Sequence, residues 1–416
     1  MEKGVERMME ANLQTQWEVI TRGAEDIFPE AELRSKLQTS LKENKPLRVK
    51  LGVDPTGADL HFGHIIPVLK MKQFQDLGHH CILIIGDYTA MVGDPSGRNK
   101  TRPQLTHEQV MENCRTYQEQ VFTILDPGKT EVVYNGDWFA DMGFVDVLAL
   151  LSKMTVARML EREDFAKRYQ AQLPISLHEM VYPLMQGYDS AMIRADVELG
   201  GTDQKFNILV GRDIQKDRGQ EPQVGVCNPI LLGTDGGEKM GKSLNNYIGI
   251  NESPEEMFGK TMSIPDTLMR MYFELLTDVP MAELDTLDKE MIAGQVHPMD
   301  VKKRLAKLVT HRFHGAPGAA LGEAHFARVF SQKELPEDID EVFLKPEQLE
   351  NGRVWIAKLL REIGFATSGG EARRLVTQGG VRIDGETITD PGFDWQAVDG
   401  AIVQVGKRRF AKIRLR

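Results

Sequence analysis

The apolar positions of this chain switch between two spacings along its first half. Residues 48–53 are a short, mostly apolar run that breaks at Asp54-Pro55-Thr56-Gly57. A helical spacing follows over residues 63–76, where Ile65, Ile66, Leu69 and Phe74 make part of an apolar face and Gly78 supplies the stop. Pro67 falls near the first turn, where a missing N–H costs least. Residues 81–86, C-I-L-I-I-G, are apolar without alternation, the signature of a strand buried on both faces of a parallel sheet. Strand, helix and strand make a βαβ unit. Thr106 with Gln109 can open the next helix, and 131–134, 197–201 and 224–232 are further strand candidates. Residues 145–169 and 176–194 carry helical patterns between them, with Pro183 requiring the second helix to begin there or to kink.

Beyond Tyr247 the alternation stops. Ser253-Pro254-Glu255-Glu256 provides an N-cap, a first-turn proline and first-turn acids. Val301, Leu305, Leu308 and Val309 form a helical stripe ringed by Lys302, Lys303, Arg304 and Lys307, which could face RNA or simply water. Residues 332–350, rich in acids and proline, predict a linker. The last 66 residues return to mixed structure, with helices over 354–363 and from Gly369 to Gly379, and short strands at 381–383, 386–388, 401–405 and 410–415. The pattern therefore predicts an α/β chain in five parts. These are an N-terminal arm (1–46), a Rossmann-like parallel-sheet domain (47–246), an all-helical domain (247–331), the linker (332–350) and a small α+β domain (351–416).

Charge sharpens this division. Residues 351–416 hold twelve Lys/Arg against seven Asp/Glu, leaving 39 against 54 for the rest of a chain whose net charge is −10. An acidic body with a basic tail puts contact with a polyanion on the tail, where Arg373, Arg374, Arg382, Lys407, Arg408 and Arg409 could form one face. Cys81, Cys114 and Cys227 are isolated, without CxxC spacing. They fit small buried hydrophobes in a reducing cytosol and argue against a disulfide frame or a cysteine-rich zinc site. No apolar run is long enough to span a bilayer.

The chemistry-bearing stretches lie where strands end. His61-Phe62-Gly63-His64 stands at a predicted helix N-terminus, where exposed N–H groups and the helix dipole favour anions. Alone this is weak, because paired histidines also cap and pack. Asp87 to Arg98 is a turn-rich loop outside a parallel strand, and it carries Asp94. Tyr182, Gln186 and Asp189, spaced i, i+4 and i+7, share a helix face that fits either a polar site or a solvated surface. Gly200-Gly201-Thr202-Asp203-Gln204 lets the backbone approach a ligand. Glu238-Lys239-Met240-Gly241-Lys242-Ser243 is a glycine-bearing loop that brings two ammonium groups near whatever it closes over.

Taken together and in order, H-F-G-H, Y-x-x-x-Q-x-x-D and K-M-G-K-S resemble the class I aminoacyl-tRNA synthetases and, among them, the bacterial tyrosyl-tRNA synthetase family, from about residue 48 to the C-terminus. The resemblance implies activation of L-tyrosine by ATP, supplied with Mg2+ and with no tightly bound cofactor or protein-held metal. Transfer to tRNA(Tyr) would follow, in a cytoplasmic homodimer packed through elements of residues 130–180. It implies that Thr56, His61, His64, Lys239 and Lys242 serve catalysis, with Gly63, Gly201, Asp203, Met240 and Ser243 at ATP. Lys50, Asp94, Tyr182, Gln186, Asp189 and Gln204 would hold tyrosine. The helical domain would read the anticodon, and the tail resembles an RNA-binding domain shared with a ribosomal small-subunit protein.

Three positions depart from the family pattern. Phe62 replaces an aliphatic residue, Gly241 a serine, and Lys50 a tyrosine that one branch uses on the substrate hydroxyl. Two other readings stay open at this point. One is the sister tryptophanyl enzyme, against which Gln186 and Asp189 speak. The other is an RNA-binding protein that keeps the scaffold without the chemistry, against which both histidines and both lysines speak.

Overall fold

The computed structural model describes residues 2–55, 59–96, 106–331, 339–406 and 409–415. The chain divides into two compact units, 1–323 and 324–416. The first is built on a six-stranded sheet: β1 (Asp26–Phe28), β2 (Arg48–Val53), β3 (His80–Ile85), β4 (Thr130–Tyr134), β5 (Val197–Gly201) and β6 (Val224–Asn228) in the order β1-β6-β5-β2-β3-β4. All neighbours pair parallel except β1, which runs antiparallel to β6. The chain winds outward from β2 through β3 to β4 and then returns to its other side at β5. The order reverses there, so the carboxyl ends of β2 and β5 leave a crevice open.

The N-terminal segment is part of this body and not a separate arm. Leu13, Ile20, Leu33 and Leu37 are buried in the main core, and β1 extends the sheet. At three residues, β1 is too short to show a period. The helices Pro254–Ser263 and Met269–Leu276, and the helical run Pro298–Phe326 that breaks at Gly315 (φ 66°), likewise share that core through Met257, Tyr272, Phe273 and Leu305. The predicted helical region 247–331 therefore lacks a core of its own.

The helix Phe62–Asp76 is clamped between these parts. Lys70 Nζ donates to the carbonyls of Ile20 (2.9 Å) and Arg22 (2.6 Å), at the carboxyl end of the helix Glu2–Thr21. Arg22 in turn donates to the carbonyl of Glu274 (3.1 Å), in the last turn of the helix Met269–Leu276, and to those of Thr277 (2.8 Å) and Val279 (2.6 Å) just beyond it. Each cation satisfies carbonyls that a helix end leaves unpaired and faces the negative end of its dipole.

The predicted helical run 145–169 is three short helices, Phe144–Leu151, Val156–Met159 and Glu163–Gln170, because Thr155 caps a new start and Arg162 is extended. The strand predicted over 224–232 stops at Asn228, before Pro229, which has no N–H to continue a ladder. Pro183 lies in the first turn of the helix Tyr182–Met192.

In the second unit, β7 (Glu341–Leu344), β9 (Val381–Ile383), β10 (Glu386–Ile388), β12 (Ile402–Val405) and β13 (Arg409–Leu415) form a sheet of order β10-β9-β12-β13-β7. A separate pair joins β8 (Arg353–Trp355) to β11 (Asp394–Gln396). β7 pairs parallel with β13, so part of the predicted linker belongs to this unit; residues 332–338 lie outside the described residues. The helices Ile356–Glu362 and Gly369–Thr377 cover a core that includes Leu359, Val376, Val403 and Ile413. The Asp384-Gly385 turn between β9 and β10 takes positive φ at both residues (47° and 86°), as a two-residue hairpin requires.

Candidate active site

A cavity of about 630 Å3 opens at the carboxyl ends of β2 and β5. It gathers all three motifs: His61 and His64, the face of the helix Tyr182–Met192, and the loop through Lys242.

His61 is the N-cap of the helix Phe62–Asp76, and its Nδ1 accepts the Gly63 N–H at 3.1 Å. The His61 N–H points to His64 Nδ1 at 3.4 Å, and the two rings stack with centroids 3.7 Å apart. Burial, with His64 and Lys242 adding repulsion, pushes the His61 imidazole down to about 3. It is therefore neutral in ordinary buffers, and with Nδ1 accepting, its proton sits on Nε2 and can be donated. A Cβ on Gly63 would lie 3.1 Å from the His61 ring, so the glycine makes room for the histidine as well as for a ligand.

The lysine loop is held at its base. Met240 N–H bonds the Leu231 carbonyl at 2.9 Å, and Met240 is buried. Asn246 accepts from Gly241 N–H (2.9 Å) and donates to Asp235 (2.7 Å). Lys242 reaches Asp59 at 3.2 Å, both side chains being exposed. Lys239 and Ser243 line the same cavity. Thr56 lies outside the described residues.

The opposite wall is polar and buried. Tyr182 donates to Asp54 Oδ2 at 2.8 Å, while Thr89 donates to Asp54 Oδ1 at 2.7 Å. Burial, then the Asp54 charge, raises Tyr182 well above the ordinary phenol value, so it stays a donor. Asp189 receives Trp138 Nε1–H at 2.9 Å and Asn135 Nδ2–H at 3.3 Å. Burial pushes its carboxyl up to about 7, opposed by the Lys50 charge and these two donors. Asp94 accepts from Gln204 (2.9 Å) and Ser96 (2.6 Å), with Arg162 at 3.4 Å. Asp203 is raised, first by burial and then by Asp94. A Cβ on Gly201 would meet the Asp203 carboxylate at 2.7 Å, and one on Gly200 the Gln204 side chain at 2.9 Å. These glycines therefore admit the side chains that follow them.

Lys50 is the exception among the expected residues. Its side chain is fully buried and does not line the cavity; the ammonium is consumed by Gln186 O, Ser190 Oγ and Glu198. Direct contact of Lys50 with tyrosine is therefore corrected. Conversely, Asp54 lines the cavity, and Asn135, Trp138, Arg162 and Asn207 bond its lining residues Asp189, Asp94, Gln186 and Gln204 from behind; none of the five was among the expected site residues. Asn135 and Trp138 follow the carboxyl end of β4, a position that could have flagged them. No local signal marks Arg162.

In the second unit Arg373, Arg374 and Arg382 are exposed. The Arg373 guanidinium lies over Trp355 (5.2 Å) and that of Arg409 over Phe365 (5.6 Å), while Arg374 and Arg409 both act on the Glu371 carboxylate. Arg382 projects from β9 between Thr387 and Gln404, and among the described residues no ion pair or hydrogen bond ties it to the others. Lys407 and Arg408 lie outside the described residues.

Histidines at a helix N-terminus, facing a two-lysine loop across the open end of a parallel sheet, define a class I aminoacyl-tRNA synthetase. The family model described as tRNA synthetases class I (W and Y) matches residues 42–331, and the S4 domain model matches 354–395. Tyrosine–tRNA ligase of Carboxydothermus hydrogenoformans is 54% identical over 96% of this chain and 98% of its own length; that of Thermotoga maritima is 51% identical over 96% and 97%. A crystal structure of tyrosyl-tRNA synthetase complexed with L-tyrosine from Archaeoglobus fulgidus superposes with a TM-score of 0.62 at 25% identity, covering 74% of this chain and 99% of that one. The chain belongs to the tyrosyl-tRNA synthetase family.

Proposed function

We propose that this chain is a tyrosine–tRNA ligase working in two steps. The carboxylate of L-tyrosine attacks the α-phosphorus of ATP, the bond to the bridging oxygen breaks, and pyrophosphate leaves. A ribose hydroxyl at the 3′ end of tRNA(Tyr) then attacks the tyrosyl carbonyl and AMP leaves. The observation that carries the substrate assignment is the buried Asp189 carboxylate, held by Trp138 and Asn135 in the cavity that also contains both ATP motifs. A phenol O–H fills its remaining acceptor position toward the cavity; the bare ring edge of phenylalanine leaves that position empty.

Displacement at phosphorus needs mainly alignment and neutralisation of growing charge. In this reading His61 and His64 donate from Nε2 to the phosphates, Gly63 admits them, and Lys239, Lys242 and Ser243 close over the pyrophosphate with Met240 seating the loop. Thr56 joins them from the first motif. Gly201 and Asp203 take the ribose side. Tyr182, Gln186 and Asp94 surround the tyrosine ammonium, and Gln204 lies beside the reacting carboxylate. ATP enters as its magnesium complex, the hydrated ion being carried by the phosphates. The helical region supplies the anticodon contacts, and Arg373, Arg374, Arg382, Lys407, Arg408 and Arg409 the phosphate contacts of the S4 unit. Truncation after residue 331 is therefore expected to spare tyrosine-dependent ATP–pyrophosphate exchange and to weaken tRNA charging, with a flatter salt dependence. Equal loss of both activities would contradict this division of labour.

The exposed apolar side chains Phe144 (77%), Val145 (76%), Val156 (64%) and Leu177 (81%) support a homodimer through residues 130–180. Sedimentation should find a dimer, and Phe144→Asp with Leu177→Asp should shift it to monomer; a monomeric parent would refute the assembly. Three free, buried cysteines suit a cytoplasmic setting, and among the described residues no helix is long and apolar enough to cross a membrane.

A further inference from the structure

The wall that faces tyrosine rests on an ion pair that the substrate never meets. Lys50 and Glu198 are direct neighbours on the parallel strands β2 and β5, and their side chains are 0% and 1% exposed. Lys50 Nζ bonds Glu198 Oε1 at 2.8 Å, Ser190 Oγ at 2.7 Å and the Gln186 carbonyl at 2.9 Å, which uses all three of its donors. Glu198 Oε1 also accepts from Gln186 Nε2 at 3.0 Å, and Oε2 from Ser190 (3.0 Å) and Gln223.

A carboxylate in this network can only accept, and that settles which way the Gln186 amide points. Its NH2 group must face Glu198, and its oxygen faces the cavity side, where it accepts Asn207 Nδ2–H at 2.8 Å and keeps a second lone pair. A substrate ammonium needs such an acceptor. One turn along the same helix, Lys50 is also the cation felt by Asp189. The charged and titratable groups facing that carboxyl are Lys50 from β2, Glu198 from β5 and Tyr182 from its own helix; Asn135 and Trp138 face it as neutral donors. Lys50 outweighs Glu198 among them, favouring the carboxylate.

We propose that Lys50, though it does not reach the cavity, is the positioning residue of the tyrosine site. Paired with Glu198, it holds the Gln186 amide oxygen toward the substrate ammonium and keeps a positive charge behind the carboxylate that takes the phenol. The inference rests on the tyrosine reading above. The Asp189 carboxylate is thereby served from beneath by charge and from beside by Trp138 and Asn135.

The test uses full-length Lys50→Met and Lys50→Met/Glu198→Gln, the second leaving no uncompensated buried charge. Tyrosine-dependent ATP–pyrophosphate exchange is followed across pH, with thermal melts alongside. Both variants are expected to raise KM for tyrosine by about tenfold or more, the scale of a lost charge-assisted contact, with KM for ATP little changed. The acid limb of kcat/KM for tyrosine should move to higher pH in both, and further in the single variant, which keeps the Glu198 charge. The melting temperature should fall in the single variant and recover in the double. If the single variant does not fold, the double variant carries the test. A melting loss with KM for tyrosine and the acid limb unmoved would overturn the proposal and leave a merely structural ion pair. A parent protein without tyrosine-dependent exchange would instead sink the functional reading beneath it.

Discussion

Lys242→Ala is expected to lower kcat for tyrosine-dependent ATP–pyrophosphate exchange by about 10²–10³-fold, the usual scale for deleting one group that meets charge only in the transition state. Without substrate, Lys242 is only weakly held. Its partner Asp59 is 3.2 Å away, and both side chains are exposed, 40% and 62%. Such a pair stabilises by less than about 1 kcal/mol, so little holds the ammonium back when a pyrophosphate offers more charge. The loop base is fixed by Asn246 and Met240, so reaching a phosphate requires only that the Lys242 side chain leave Asp59. KM for tyrosine should stay within a small factor, since Lys242 lies on the histidine side of the cavity. His64→Ala should behave similarly. Stopped-flow or exchange assays at saturating tyrosine decide it: unchanged kcat would mean that the two-lysine loop is ordinary solvated surface.

The difference between what could and could not be read from the chain follows from locality. His61, Gly63 and His64 work within one helical turn, and the lysine loop within six residues, so their spacing carries their chemistry. Tyr182, Gln186 and Asp189 share a helix face, and a single period reveals them. Strands Val197–Gly201 and Val381–Ile383 occur with the predicted bounds because each is a short alternating stretch, V-E-L-G-G and V-R-I, flanked by turn residues. The misses are non-local. Trp138 meets Asp189 from 51 residues away, Arg162 meets Asp94 from 68, and Lys50 meets Glu198 from 148; no pattern in one segment encodes the pairing partner. Lys50 is the instructive case. Read along the chain it is a polar start to a strand beside the substrate pocket. Read across the sheet it is one half of a register-paired, fully buried ion pair. Likewise β1 could be found only through β6, and the helical region could be denied its own core only by finding Tyr272 and Leu305 in the same core as the sheet.

Asp189→Asn is expected to reduce kcat/KM for tyrosine by about 10²-fold, the equivalent of losing one hydrogen bond to a charged group. Activation of phenylalanine should change far less, so the selectivity ratio falls by nearly the same factor. The geometry explains why an isosteric amide fails. Trp138 and Asn135 already donate to the two oxygens, so a third donor in place of an acceptor leaves the phenol O–H without its partner. The pH dependence separates this from a packing defect. Burial raises Asp189 to about 7, so its carboxylate forms only as pH rises through that value. In the parent, kcat/KM for tyrosine should therefore fall as pH drops below about 7, and in Asp189→Asn that limb should vanish. Folding stability runs the opposite way. A carboxyl raised above its unfolded value favours the native state at low pH, and that contribution is lost as pH rises from about 4 to about 7. The asparagine variant lacks this loss, so its melting temperature should depend less on pH across that window. Urea or thermal melts at several pH values check the second part, and exchange kinetics the first. An acid limb that survives in Asp189→Asn would assign it to another group and remove the argument for tyrosine over phenylalanine. If both parts hold, the same burial that costs the free protein stability near neutral pH sets the acceptor that selects the substrate.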